Sequence, residues 1–332
     1  MAMTDRNNPK RAKSSDSAYS LMEFVKDFPD DAACLEWLWA VRYATEDPDF
    51  GHCPKCEQVR RFARYETKQQ RQSWTCTACG LHVHPTAGTI FHKSSTSLHL
   101  WFYAMYLMTS TRCGISAKQL ERELGVTYKT AWRMFHLIRN ELMTQDDEPL
   151  TGAVEMDEMY VGGKLRQSDR AKFSSKQFTT ARRTEARNAA NAKKTPVFGA
   201  VERGGRVTAH VVPSTQLDTI MAHVTKRVEA TSMIYTDDAN LYTGLPKAGY
   251  PNHDVVKHMY NVYVSGDVHT QTIDGFWSLV KRGLSGTHHS VSAKHLQGYL
   301  NEYAWRYNNR DAKGPAMFLL LALRAANPVA SV

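Results

Sequence analysis

Residues 152–164 read GAVEMDEMYVGGK. Apolar side chains run through 153–161, interrupted by Glu155, Asp157 and Glu158, and two glycines close the run. A short apolar segment bounded by glycine predicts a strand covered on both faces. A carboxylate inside such a strand is costly unless it is paired or bound to a cation, which singles out Asp157. Alternation puts Glu155 on the face of Asp157 and turns Glu158 to the other.

Downstream, PVFGAVERG (196–204) and RVTAHVVP (206–213) read as two more strands, with Gly204-Gly205 as the hairpin turn between them. Leu217 to Ala230 has the period of an amphipathic helix, and SMIYTDD (232–238) is a further short strand that ends on Asp237. Three strands, a helix and a fourth strand predict a mixed α/β sheet. The run TIDGFWSLVKRG (272–283) then predicts a helix with Asp274 near its start and Lys281 seven residues on, two turns along the same face. Phe276 and Trp277 are expected to pack that helix onto the sheet. Three acids from two strands and a helix can hold two divalent ions about 4 Å apart, and all-oxygen ligands suit Mg²⁺. Taken singly, each aspartate has a plainer reading as a cap or ion-pair partner. Glu155, Glu158, Asp238 and Asp267 are rivals for ligand roles. His269 either positions a phosphate or water or is an ordinary polar histidine, as His288, His289 and His295 are.

Upstream, Cys53-Pro-Lys-Cys56 and Cys76-Thr-Ala-Cys79 form two CxxC pairs separated by 19 residues. Two tight turns of this kind bring four thiolates to one tetrahedral Zn²⁺, a closed structural site with no open position. Gly80 follows the second pair, where a positive φ is often needed. His52, His82 and His84 are read as bystanders, and Cys34 and Cys113 as small buried apolar residues inside helices. Residues 115–135 (ISAKQLERELGVTYKTAWRMF) read as helix, tight turn, helix: Ser116 and Thr127 as N-caps, Gly125 as the left-handed turn residue. Leu120, Leu124, Val126, Ala131 and Trp132 would close its core. Lys129, Thr130 and Arg133 would face outward, as on the recognition helix of a DNA-binding helix-turn-helix. An ordinary helical hairpin is the alternative.

The 332 residues carry a formal net charge of +9, with 42% hydrophobic and 23% charged side chains. That surplus places nucleic acid first among partners. No stretch reaches the roughly 18 apolar residues of a membrane span. The N-terminus lacks the apolar core of a secretory signal, and six cysteines without one favour a reducing compartment. Residues 164–195 hold ten Lys or Arg against Asp169 and Glu185. They form either a solvated loop or one that orders on a phosphate backbone. Trp305 to Arg310 interleave aromatic and basic groups, either to touch DNA or to close a helix-end core.

Three segments together resemble the insertion-sequence transposases of the ISXO type: GAVEMDEMYVGGK, IYTDDANLYTGL and GDVHTQTIDGFWSLVKRGLSGTHHSVSAKHLQGYLNEYAWRYNNR. So do residues 88–139 and the four-cysteine region before them, in the family's order over roughly residues 19–310. The resemblance implies an RNase H-like catalytic domain, metal-dependent strand cleavage and strand transfer. It maps the family's first acid to Asp157, its second to Asp237 and its trailing basic position to Lys281, with Arg282 beside it. The usual third acid is a glutamate in a TIEGFW-like run; here it is Asp274, one methylene shorter.

The expected organisation is a disordered basic tail (1–18), a helical segment (19–50), a zinc ribbon (51–94) and a helix-turn-helix (97–145). An RNase H-like domain (150–312) follows, with a basic insert at 164–195, and then a C-terminal segment (313–332). The expected activity is DNA transposition with Mg²⁺ or Mn²⁺ at Asp157, Asp237 and Asp274 and structural Zn²⁺ at Cys53, Cys56, Cys76 and Cys79. Double-stranded DNA is the expected partner, at the element ends and the target. A homodimer or larger assembly is expected because two ends must be held together. The expected place is the cytoplasm, at the bacterial nucleoid. A DNA-binding protein that no longer cuts and a structure-specific nuclease are the rivals.

Overall fold

Two compact units divide the chain: residues 1–142 with 311–332, and residues 143–310. The computed structural model describes residues 19–66, 72–111, 113–162, 194–237, 240–256, 269–312 and 315–327. The expected N-terminal tail, Asp238, Asp267 and the basic insert up to residue 193 lie outside the described residues.

In the first unit, α1 (Leu21–Asp27) and α2 (Asp31–Arg42) break at Phe28-Pro29-Asp30, and Asp30 Oδ1 accepts from the Ala33 amide at 2.9 Å. Four antiparallel strands follow in sheet order: β1 (Phe50–Cys53), β2 (Gln58–Glu66), β3 (Gln72–Cys76) and β4 (His82–Val83). Trp39 of α2 stacks on Trp74 of β3 with centroids 4.9 Å apart and, with Phe62 and Val83, forms the small core beside them. Helix α3 (Leu98–Ser110) buries Trp101, Phe102, Met105 and Met108. The C-terminal helix Ala316–Ala326 belongs to this unit, where Phe318 lies 5.6 Å from Phe24 and 5.5 Å from Phe28.

Cys113 departs from the sequence reading. It is exposed in the turn after α3. The helix stops at Ser110 because Thr111 turns to extended backbone (φ −82°, ψ 131°), and Thr109 and Thr111 donate their hydroxyls to the carbonyls of Met105 and Leu107 in the last turn. Cys34 is buried as expected.

Helices α4 (Ala117–Leu124) and α5 (Tyr128–Leu137) follow the predicted pattern. Ser116 Oγ accepts from the Gln119 amide at 3.1 Å, Gly125 sits at φ 63°, and Thr127 Oγ1 accepts from the Thr130 amide at 3.3 Å. A non-glycine residue would be strained at that left-handed position. Leu120, Leu124 and Ala131 are buried, whereas Val126 and Trp132 are half-buried.

The second unit is a five-stranded mixed sheet. Its strands are β5 (Ala153–Val161), β6 (Thr195–Glu202), β7 (Val207–Val211), β8 (Met233–Asp237) and β9 (His253–Val256), in the order β7-β6-β5-β8-β9. β6 runs antiparallel to both of its neighbours, β5 and β7, while β8 runs parallel to β5 and β9 parallel to β8. Lys194 and Thr195, assigned from sequence to the basic insert, adjoin and begin β6.

Helix α6 (Leu217–Arg227) covers one face, burying Ile220 and Val224 against Val154, Met156, Phe198 and Ile234. Helices α7 (Gln271–Gly286) and α8 (Leu296–Asn308) cover the other, with Ile273, Phe276, Trp277 and Leu300 against Met159, Val197 and Val201. Central β5 is thus apolar on both sides, which is why its carboxylates stand out.

The edge strand β7 is closed by side chains. Asn308 bonds both backbone groups of Val207, Gln145 bonds both of Ala209, and Gln297 accepts from the Val211 amide. These contacts satisfy an edge that would otherwise invite another strand. Trp305 is buried and Arg310 donates to the carbonyls of Gly204 and Gly205, so the Trp305–Arg310 segment closes the helix end onto the sheet.

Gly199 of β6 pairs with Asp157 of β5, and a Cβ built there would lie 2.3 Å from Trp277 Cζ2. The missing side chain lets α7 rest on the sheet beside Asp157. Gly199→Ala is therefore expected to destabilise the protein by roughly 1–3 kcal/mol through overpacking, measured by urea unfolding. A change under about 0.5 kcal/mol, the scale of a neutral surface substitution, would contradict this docking.

Candidate active site

Strand register brings the first two acids together. Glu155 of β5 stands opposite Tyr235 of parallel β8. Two residues further along both strands come Asp157 and Asp237, at one level and on one face. That face is the α7 side, because Glu155, Asp157 and Met159 alternate with Val154, Met156 and Glu158, and Met159 packs with α7. Asp274 lies in the first turn of α7, where the positive end of the helix dipole favours a carboxylate.

The acids act on one another. Asp157 is raised from 3.8 to about 6, first by burial, against which the Glu158 amide acts, and then by the charges of Asp237 and Asp274. The Trp277 indole opposes the rise. Its N–H is buried without a well-aligned acceptor among the described residues, yet it is near enough to Asp157 to favour the ionised form. Glu158, on the other face, accepts from the Tyr242 hydroxyl. Burial chiefly raises it to about 7; the Tyr242 bond lowers it, and Asp157 and Asp237 raise it.

Glu155 shares the Asp157 face as expected, but it is fully buried and taken up by Arg203 and the start of α7, with His269 Nδ1 3.2 Å away. Neither Arg203 nor Gly199 was marked by the sequence reading. Only the unusual glycine inside PVFGAVERG hinted at a close approach.

Among the described residues, the four thiols are the one group of three or more ligand-type side chains whose donor atoms all lie within 4.8 Å. The three aspartates are more open than that. Their donor set is nonetheless all oxygen, and the charges of Asp237 and Asp274 act on Asp157, a clustering of negative charge that fits hard divalent cations.

Cys53, Cys56, Cys76 and Cys79 meet where the β1 and β3 ends turn, and Cys53 Sγ lies 3.6 Å from Cys79 Sγ. Thiolates around one tetrahedral zinc at about 2.3 Å stand at about 3.8 Å from each other, so the cluster could hold Zn²⁺. Gly80 follows at φ 70°. Burial raises the Cys53 thiol, but the amides of Cys56 and Lys55 and the thiols of Cys79 and Cys56 bring it down to about 7. His82 is held by Thr75 Oγ1 at 2.8 Å.

Lys129 and Arg133 are exposed on α5; Thr130 is half-buried, its hydroxyl 3.0 Å from Thr127 Oγ1. Lys281 and Arg282 are exposed on α7, two turns beyond Asp274. No described helix is long and apolar enough to cross a membrane.

A sequence profile of the ISXO2-like transposase domain matches residues 149–308. An uncharacterized protein in the transposable element ISH50 of Halobacterium salinarum is 33% identical over 291 residues, 85% of this chain and 92% of that protein. An uncharacterized transposase-like protein of Haemophilus influenzae is 27% identical over 114 residues, 34% of this chain and 90% of that protein.

The raised Asp157 carries a stability cost whose sign is fixed. Below pH 4 the folded and unfolded chains both hold the proton. Between 4 and 6 the folded chain keeps it after the unfolded chain has lost it, so stability falls with rising pH. Above 6 the buried charge is penalised in full. Asp157→Asn should therefore stabilise the metal-free protein at pH 7.5, by at most roughly 3 kcal/mol for a rise from 3.8 to about 6, with the gain fading toward pH 4. Thermal melts across that range decide it; a destabilised variant at pH 7.5 refutes the assignment.

Proposed function

The chain belongs to the ISXO2-like transposase family, and from that premise we propose that it cuts DNA at the ends of a mobile element and joins the freed 3′ ends to target DNA. The observation that supports the reading is that the charges of Asp237 and Asp274 both act on Asp157, the three acids coming from two adjacent parallel strands and the helix that covers them. Three antiparallel strands followed by two parallel ones support the RNase H-like assignment of residues 150–312. Mg²⁺ or Mn²⁺ bound there would activate the attacking oxygen and stabilise the leaving one.

In the first step water attacks the phosphorus at the element end, and the 3′ oxygen leaves with a proton. In the second, that 3′ hydroxyl attacks a target phosphorus and displaces the target's own 3′ oxygen. Asp157, Asp237 and Asp274 hold the ions, while Lys281 and Arg282, exposed on α7, meet the DNA backbone. The four-cysteine sheet is a zinc ribbon and α4–α5 a helix-turn-helix, with Lys129, Thr130 and Arg133 presented to the element end. Phosphate contacts set register and a few base contacts read sequence. Two ends must be paired, so the working species is a dimer or larger assembly on nucleoid DNA.

Asp274 supports a second reading, a copy that binds DNA and cuts poorly. A carboxylate set back by about 1.5 Å, the length of a C–C bond, can lower the rate on the order of 10²-fold. A nuclease that cuts without joining is separated by the strand-transfer assay.

The full chain should cleave a duplex carrying its element end with Mg²⁺ or Mn²⁺ and form covalent target joints. Asp157→Ala should abolish both and leave end binding within a few-fold; cleavage at the wild-type rate would discard the site. Asp274→Glu should change the rate by less than tenfold, whereas a gain near 10²-fold would establish the impaired copy. The protein should carry one Zn²⁺ per chain by elemental analysis. Cys76→Ser should lose it along with end binding, and full zinc occupancy in that variant would exclude the four-thiolate site.

A further inference from the structure

If the three acids are the reacting centre, as proposed above, Asp274 serves only while the start of α7 is held in place. We infer that Glu155 and Arg203 form a latch that fixes this helix end and thereby sets Asp274 against Asp157.

Thr270, the residue before α7, supplies no side-chain cap. The first amides of a helix lack partners within it. Here they find one from the central strand. Glu155 Oε2 accepts from the Thr272 and Ile273 amides at 2.8 and 3.0 Å, and Oε1 accepts from the Thr272 hydroxyl at 2.9 Å. The carboxylate is 0% exposed and needs a countercharge. Arg203 Nε supplies it at 2.8 Å, and His269 Nδ1 lies 3.2 Å away. Arg203 is itself held from three sides. Its Nη2 donates to the His269 carbonyl at 2.8 Å, its amide to the Ala153 carbonyl at 2.9 Å, and its guanidinium lies 3.9 Å from the Tyr235 ring centroid.

The addresses of these contacts distinguish the latch from an incidental cap. Glu155 is two residues before Asp157 on β5. Tyr235 is two before Asp237 on β8. Thr272 is two before Asp274 on α7. One cluster of contacting side chains therefore reaches all three carrier elements, in each case two residues before the acid. Glu155 and Arg203 are positioning residues in this account; the acids do the chemistry. A displacement near 1 Å at such a centre costs on the order of 10²-fold in rate.

The test uses the full chain with Glu155→Gln, Arg203→Lys and Thr272→Val, and Asp157→Ala as control. Amide exchange of the metal-free protein reads the helix end directly. Single-turnover cleavage at saturating DNA, followed against Mn²⁺ concentration, reads the consequence. The expected result for Glu155→Gln is at least tenfold faster exchange confined to the first turn of α7, cleavage down roughly 10²-fold, and a higher half-saturating Mn²⁺ concentration. End binding should stay within threefold. Thr272→Val and Arg203→Lys should move the same readouts less, and they decide the matter if Glu155→Gln does not fold. Faster exchange with unchanged cleavage and Mn²⁺ dependence overturns the latch, as does unchanged exchange. If Asp157→Ala cuts at the wild-type rate, the reading of the acids has failed. If that control is dead while the latch variants are fully active, only the latch has failed.

Discussion

A carboxylate carried on a helix can share a site with carboxylates on strands only if the helix can neither slide along its axis nor lift from the sheet. In residues 143–310 both motions are opposed from strands β5 and β6. Sliding is opposed at the N-terminal amides, which the Glu155 carboxylate holds. Lifting is opposed by the flank, where Trp277 rests against the bare backbone of Gly199. Gly199 is the register partner of Asp157, so this constraint on the helix lies next to that acid. β5 is the middle strand of five and covered on both sides. Elements buried in that way open last, which makes β5 a suitable datum for the site.

The arrangement is destabilising where it is useful. Burial and two neighbouring charges hold Asp157 near 6 rather than 3.8, and Glu158 is held near 7 behind it. A fold selected for stability alone would place an apolar residue at 157. Retaining the acid there is the kind of local cost that functional sites carry. The contrast with Glu155 is instructive. That carboxylate is more deeply buried, but a guanidinium and two helix amides meet it. It is therefore fully partnered, whereas Asp157 has no countercharge among its named neighbours and has the charges of Asp237 and Asp274 against it.

Much of this was legible in the sequence because it follows from period and cap chemistry. The hairpin through the Gly204-Gly205 turn, the amphipathic helix after Leu217, and the caps at Ser116 and Thr127 each rest on a few adjacent residues. The facing of Glu155 and Asp157 followed from alternation. What escaped was contact between distant residues. His253–Val256 is a four-residue strand, half exposed, with too little pattern to announce itself. Glu155 was weighed as a ligand because a buried acid beside a suspected site suggests one; its partners lie 117 and 118 residues away. The apolar pattern of α3 also gave no warning that the chain would turn extended at Thr111, two residues before Cys113.

The aspartate at 274 is best understood together with Gly199. A glutamate reaches its site from a helix set further back. An aspartate, about one C–C bond shorter, serves the same point only if its helix comes closer. Helix and sheet approach most closely where the sheet residue lacks a side chain, and that residue is the one beside Asp157. Trp277 is three residues after Asp274, and residues three apart share a helix face, so the flank that rests on Gly199 is also the flank that carries the acid. The short side chain at 274 and the missing one at 199 thus act in opposite directions on the reach of the acid, which is the argument for proposing Asp274 as a member of the site.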